Sequence, residues 1–117
     1  MTKILIVEDE ESVRLLFAEE LSAEGYEVDT AENGEVALEK ITKNKPDLIT
    51  LDIKMPGMDG LELLDKIRQF DKEIPVIICT AYGTYKQDFF TWASDEYITK
   101  SADLTELKSK VKKLLKK

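Results

Sequence analysis

The sequence predicts an α/β domain built on a parallel sheet that is wound on both faces, with strand order 2-1-3-4-5. Three observations carry this. Apolar runs without alternation, at residues 4–7, 48–51 and 76–79, read as strands covered on both faces. Segments between them place apolar residues at helical spacing. Strand and helix patterns alternate five times, which calls for right-handed crossovers onto one sheet.

Residues 3–7 form the first predicted strand, and Glu8 and Asp9 end it. From about 11 to 24, Val13, Leu16, Phe17 and Leu21 recur at helical spacing, and Gly25 stands where a left-handed residue would close that helix. Residues 26–30 alternate Tyr26 and Val28 with Glu27 and Asp29, which suits a half-exposed edge strand. Asn33-Gly34 opens a second helix through Lys43, with Ala37, Leu38 and Ile41 inward, and Pro46 separates it from the third strand. That strand runs into Asp52, after which Pro56, Gly57 and Gly60 force a loop. A third helix follows, with Asp59 and Glu62 spaced as a capping box and Leu61, Leu64 and Ile67 inward.

The fourth strand stops at Thr80. A fourth helix is expected at about 84–93, where Tyr85, Phe89, Phe90 and Trp92 make a stripe heavy enough for part of it to face a partner. A short fifth strand, residues 96–99, ends at Lys100. A fifth helix, opened by the capping box of Asp103 and Glu106, buries Leu104, Leu107, Val111, Leu114 and Leu115. Strands 1, 3 and 4 are uniformly apolar and belong in the middle; strands 2 and 5 are mixed and belong at the edges. The known flavodoxin-like order 2-1-3-4-5 satisfies this.

At 117 residues and 43% hydrophobic content, the chain suffices for one domain, 1–117, and not for two. Six lysines lie among the last ten residues, so the first 107 residues carry −13 of charge against −7 for the whole chain. That disfavours nucleic acid as a ligand of the domain body, and the lysine tail reads as a solvated face complementing a helix C-terminus. Cys79 is the single cysteine and lies in an apolar run, so the fold needs no oxidising compartment. With no apolar stretch of membrane-spanning length and no signal-peptide pattern, a cytoplasmic location is expected. The absence of histidine excludes His triads, His-ligated zinc and phosphohistidine on this chain.

Ligands of an open parallel sheet bind beyond the carboxyl ends of its strands, near the switch in strand order. Here those ends carry Glu8 and Asp9, Asp52, Thr80 and Lys100. Singly, each has an ordinary reading as a helix-dipole partner, a strand terminator or an edge lysine. Jointly, three carboxylates repel one another, and a divalent cation removes the conflict. An oxygen-only ligand set suits Mg²⁺, with Mn²⁺ as a substitute ion.

Four motifs in order, Val7-Glu8-Asp9-Glu10, the run from Leu51 to Gly60 that begins Leu51-Asp52-Ile53-Lys54, Cys79-Thr80-Ala81-Tyr82 and Tyr97-Ile98-Thr99-Lys100, resemble the receiver domain of two-component response regulators. The resemblance covers essentially the whole chain. It implies Asp52 as phosphoacceptor, Asp9 as a direct Mg²⁺ ligand and Glu8 as a water-mediated one, with the Asp52 carboxylate and the Lys54 backbone carbonyl completing the protein ligands. Thr80 would donate its hydroxyl to a phosphoryl oxygen and Lys100 would pair with another. Tyr97 would move into the space Thr80 leaves, changing the face of the fourth helix, fifth strand and fifth helix. Lys54 and Tyr82 would modulate hydrolysis of the acyl phosphate, and make the chain similar to single-domain regulators of sporulation phosphorelays.

The resemblance further implies a histidine kinase or His-phosphotransfer protein as donor and an unidentified downstream protein as target. No nucleic acid or membrane partner is expected of this domain, which would be a monomer or weak dimer; with no chain remaining for an output domain, it would act by binding a partner or be a fragment of a longer regulator. Its chemistry would be self-phosphorylation and self-dephosphorylation, not turnover of a separate substrate. Two positions depart from the family pattern. Ser101 replaces the proline usual after the lysine, where a cis bond before a non-proline costs about 2.5–4 kcal/mol, and Ala93 or Ser94 replaces a glycine after the fourth helix. A pseudo-receiver acting as a phosphorylation-independent interaction module is therefore the alternative. An aspartate-nucleophile phosphohydrolase ranks below both, because position 54 holds lysine where a second acid is needed.

Overall fold

The computed structural model describes residues 2–52, 60–80, 96–99 and 104–115. Within them lie β1 (Lys3–Val7), α1 (Glu11–Ala23), β2 (Glu27–Ala31), α2 (Gly34–Lys43), β3 (Leu48–Asp52), α3 (Gly60–Phe70), β4 (Val76–Thr80), β5 (Glu96–Thr99) and a C-terminal helix, α4 (Thr105–Leu115). The strands form one parallel sheet in the order β2-β1-β3-β4-β5. The expected order holds, with the apolar strands central and the mixed ones at the edges. The helix expected at 84–93 and the capping residues Asp59 and Asp103 lie outside the described residues.

Strand alternation sorts the core into two layers, since successive side chains point to opposite faces. Leu5 and Val7 of β1, Ile49 and Leu51 of β3, and Val76 and Ile78 of β4 pack with Ala37 and Ile41 of α2 and Leu63, Leu64 and Ile67 of α3. Ile4 and Ile6, Leu48, Ile77 and Cys79 pack on the other face with Phe17 and Leu21 of α1 and Leu104, Leu107 and Val111 of α4. Each Val, Leu, Ile or Phe side chain among these, fully buried, contributes about 1.5–3 kcal/mol of transfer free energy. Cys79 is a buried thiol within this layer.

Two helix ends follow the expected chemistry. Gly25 adopts φ 98, its N–H donates to the Ser22 carbonyl, and the Tyr26 N–H donates to the Leu21 carbonyl, the paired bonds that close α1 and turn the chain into β2. The Asn33 side chain accepts from the Val36 N–H at 2.8 Å and caps α2. One expectation fails: Leu16 is 38% exposed. Positions 13, 17 and 21 align along one stripe of α1, and Leu16, a quarter turn off that line, falls at its margin.

Candidate functional site

The site grows from a register. β1 and β3 pair in parallel from Ile4 opposite Leu48 to Val7 opposite Leu51. One step further along the same alternation, Glu8 stands beside Asp52 on the face that carries Ile4, Ile6 and Leu48. The Glu8 N–H donates to the Ala31 carbonyl at 3.0 Å, so the β1–β2 ladder continues past the end of β1 and holds this residue in line. From this point the chain leaves β1 for β2 on one side and leaves β3 for β4 on the other, which opens the crevice where ligands bind in such sheets.

Glu8 and Asp52 are buried, at 2% and 5% exposure, whereas Asp9 faces solvent. One carboxylate oxygen from each of the three lies within 4.8 Å of the others. A single cation can span that separation. All three donors are hard oxygens, the set Mg²⁺ takes. One buried edge and one exposed acid suit an ion that keeps several waters. The residues present therefore fit the cation expected from the sequence.

The loop that carries two of these acids is tied down by its own neighbours. The Glu8 side-chain oxygen Oε2 accepts from the Glu10 N–H at 3.2 Å. Arg14, in the first turn and a half of α1, donates from Nη1 to the Glu8 carbonyl at 2.9 Å and to the Asp9 carbonyl at 3.4 Å. The sequence reading missed Arg14, because its partners are main-chain oxygens that no motif spells out. One signal was present: a cation this near a helix N-terminus opposes the dipole and so calls for a local reason.

Thr80 ends β4, opposite Thr99 of β5, and Asp52 pairs with Cys79, so Thr80 lies one residue beyond the acid on the adjacent strand. Tyr97 lies on β5 opposite Ile78. Lys54, Tyr82, Lys100 and the Lys100–Ser101 peptide lie outside the described residues. Among the described residues no helix is long and apolar enough to cross a membrane.

The sequence matches the family described as Response regulator receiver domain over residues 4–112. It is 43% identical to sporulation initiation phosphotransferase F of Bacillus subtilis (strain 168), over 97% of this chain and 93% of that protein. It is 41% identical to response regulator ArlR of Staphylococcus saprophyticus over 100% of this chain and 54% of ArlR, so it spans about half the length of that relative. Among solved structures, response regulator TrrA of Thermotoga maritima in complex with Mg²⁺-BeF has a TM-score of 0.94 at 53% identity, covering 98% of this chain and 100% of TrrA. TrrA in complex with the histidine kinase ThkA gives a TM-score of 0.91, also at 53% identity, over 98% of this chain and 99% of TrrA. A parallel sheet in the order 2-1-3-4-5, an acidic rim at its switch point and a sequence match along nearly its whole length place this chain in the response regulator receiver domain family.

Proposed function

We propose that the domain accepts a phosphoryl group on Asp52 from a histidine kinase or a His-phosphotransfer protein, with Mg²⁺ held by Glu8, Asp9, Asp52 and the Lys54 carbonyl. The observation that carries this reading is the convergence of three carboxylates at the end of the buried strand β3. The relatives support it, one being a sporulation initiation phosphotransferase and another a response regulator in complex with a histidine kinase.

In the transfer, an Asp52 carboxylate oxygen attacks phosphorus, the P–N bond of the donor phosphohistidine breaks, and its electron pair stays on the imidazole nitrogen, which takes up a proton. A carboxylate is a weak nucleophile, so the step depends on positioning and on neutralising charge. Bound Mg²⁺ would offset the negative charge of the phosphoryl oxygens; Mn²⁺ would serve in its place. The β3 backbone fixes Asp52 at the crevice, Thr80 donates a hydroxyl to one phosphoryl oxygen and Lys100 pairs with another. Phosphorylated Asp52 carries added charge and acceptor oxygens that draw Thr80 inward. Tyr97 then shifts, and the face made by the helix expected at 84–93, β5 and α4 is the part a downstream protein reads. Lys54 and Tyr82 slow attack by water on the acyl phosphate. The domain acts in the cytoplasm, as a monomer or weak dimer, without turning over a separate substrate.

Incubation with a small acyl-phosphate donor and Mg²⁺, followed by intact mass measurement, tests this. One phosphoryl group should appear on the native protein and none on Asp52→Asn. A native protein that gains no mass is instead a phosphorylation-independent interaction module, the outcome that Ser101 after Lys100 would favour. Rapid turnover of unrelated phosphate esters would point to a hydrolase.

A further inference from the structure

We infer that Arg14 is a positioning residue for the cation site, acting through the peptide groups of Glu8 and Asp9; this rests on the Mg²⁺ reading above. Its Nη1 donates to the carbonyl oxygens of both residues, at 2.9 and 3.4 Å. Two consecutive peptide planes are thereby fixed against one guanidinium group. Fixing them sets the direction in which the Asp9 side chain leaves the backbone, and Asp9 is otherwise an exposed residue in a connection between a strand and a helix.

The rest of the loop is held by further bonds. The Glu8 N–H is held by the Ala31 carbonyl, the Glu8 carboxylate accepts from the Glu10 N–H, and the Arg14 N–H donates to the Glu10 carbonyl at 2.9 Å as the first turn of α1. Every peptide from Glu8 to Glu10 therefore engages either the sheet or the start of α1. The Arg14 side chain joins the two from the helix, as the Glu8 carboxylate does from the strand. A cation placed there opposes the helix dipole. It also turns two carbonyl dipoles toward itself, and a planar guanidinium offers the paired N–H geometry for this that a point-charge ammonium lacks.

Charge and position predict opposite signs, which makes the inference testable. If Arg14 acted by charge alone, removing it would leave the acidic cluster more negative and tighten Mg²⁺. If it positions the ligands, removing it weakens Mg²⁺, by about tenfold for a group one shell out from the metal. Calorimetric titration of Mg²⁺ into the native protein, Arg14→Ala and Arg14→Lys, each with its Mg²⁺-free melting curve, separates these cases. The expected result is weaker binding in Arg14→Ala, partial recovery in Arg14→Lys, and a loss of affinity that persists at temperatures where both variants remain folded. Should Arg14→Ala fail to fold, Arg14→Gln takes its place with the same expectation. Equal or tighter Mg²⁺ binding in the folded variants overturns the inference while leaving the site intact. A native protein that binds no Mg²⁺ overturns the functional reading itself.

Discussion

The two rims of the sheet treat acidic residues in opposite ways. At the amino ends of the strands, acids meet cations and amides. The Asp47 side chain accepts from the Lys3 N–H at 2.8 Å while the Asp47 N–H donates to the Lys3 carbonyl at 2.8 Å. Asp71 pairs with Lys45 and accepts from the Glu73 N–H at 2.7 Å, and Arg68 donates to the Ile74 carbonyl at 2.7 Å. These bonds close the α2–β3 and α3–β4 connections. At the carboxyl ends, Glu8, Asp9 and Asp52 are brought toward one another. One rim pairs acids with cations to hold the fold together; the other brings three carboxylates within 4.8 Å of one another, a repulsion that a shared cation relieves.

Removing or supplying that cation should show the largest difference between the rims. Mg²⁺ at a hundredfold excess over its Kd should stabilise the native protein by about 2.7 kcal/mol. Asp9→Asn should abolish that gain, read as the shift in melting temperature with and without Mg²⁺; an unchanged shift would refute Asp9 as a ligand. Next in size, Asp52→Asn in chelator should raise stability by about 2 kcal/mol, as expected for relieving repulsion among carboxylates within a few ångströms. Urea unfolding without metal measures it. A destabilised variant would mean that Asp52's own partners outweigh the repulsion, and the contrast between the rims would fail.

The smallest effect belongs to the amino rim. The Lys45 hydrogen bond, followed by the Glu73 amide, holds the Asp71 carboxyl below its usual value. A depressed folded pKa gives stabilisation that is complete above the unfolded value, near 3.8, and is lost as pH falls through the folded value. Asp29 behaves alike: burial pushes its carboxyl upward, but the Lys40 hydrogen bond and the Thr30 amide together outweigh this and lower it. Between pH 5 and 2.5, then, the urea midpoint of the native protein should fall more steeply than that of Asp71→Asn. Parallel curves would remove Asp71 from the account.

Much of this arrangement was legible in the sequence because it rests on backbone rules. Unalternating runs identified β1, β3 and β4 as central, alternation identified β2 as an edge, and an acid directly after an apolar run marked the crevice. Glu8, Asp9 and Asp52 come together because two strands pair in register, and register follows from which faces are buried. What stayed hidden depends on side chains reaching across elements. Leu63 is buried although the spacing argument chose Leu61, Leu64 and Ile67, since α3 presents a wider apolar stripe than a strict repeat implies. Leu16 faces outward because α1 covers a narrower strip than its leucines suggest. Arg14, Lys45 and Lys40 bind carbonyls or distant acids, and no local pattern encodes a partner that only folding brings near.

The two core layers also differ in when translation completes them. The layer under α2 and α3 has all its described members once residue 78 has been made. The layer under α1 waits for Leu104, Leu107 and Val111, and the contact from Lys108 to Glu20 at 2.6 Å joins residues 88 positions apart. A nascent chain stopped at residue 103 should therefore bind an apolar-surface dye through the uncovered Phe17 and Leu21 layer, and lose that binding when α4 is added as a separate peptide. Synthesis of α4 thus sets the moment at which the second apolar layer can be covered.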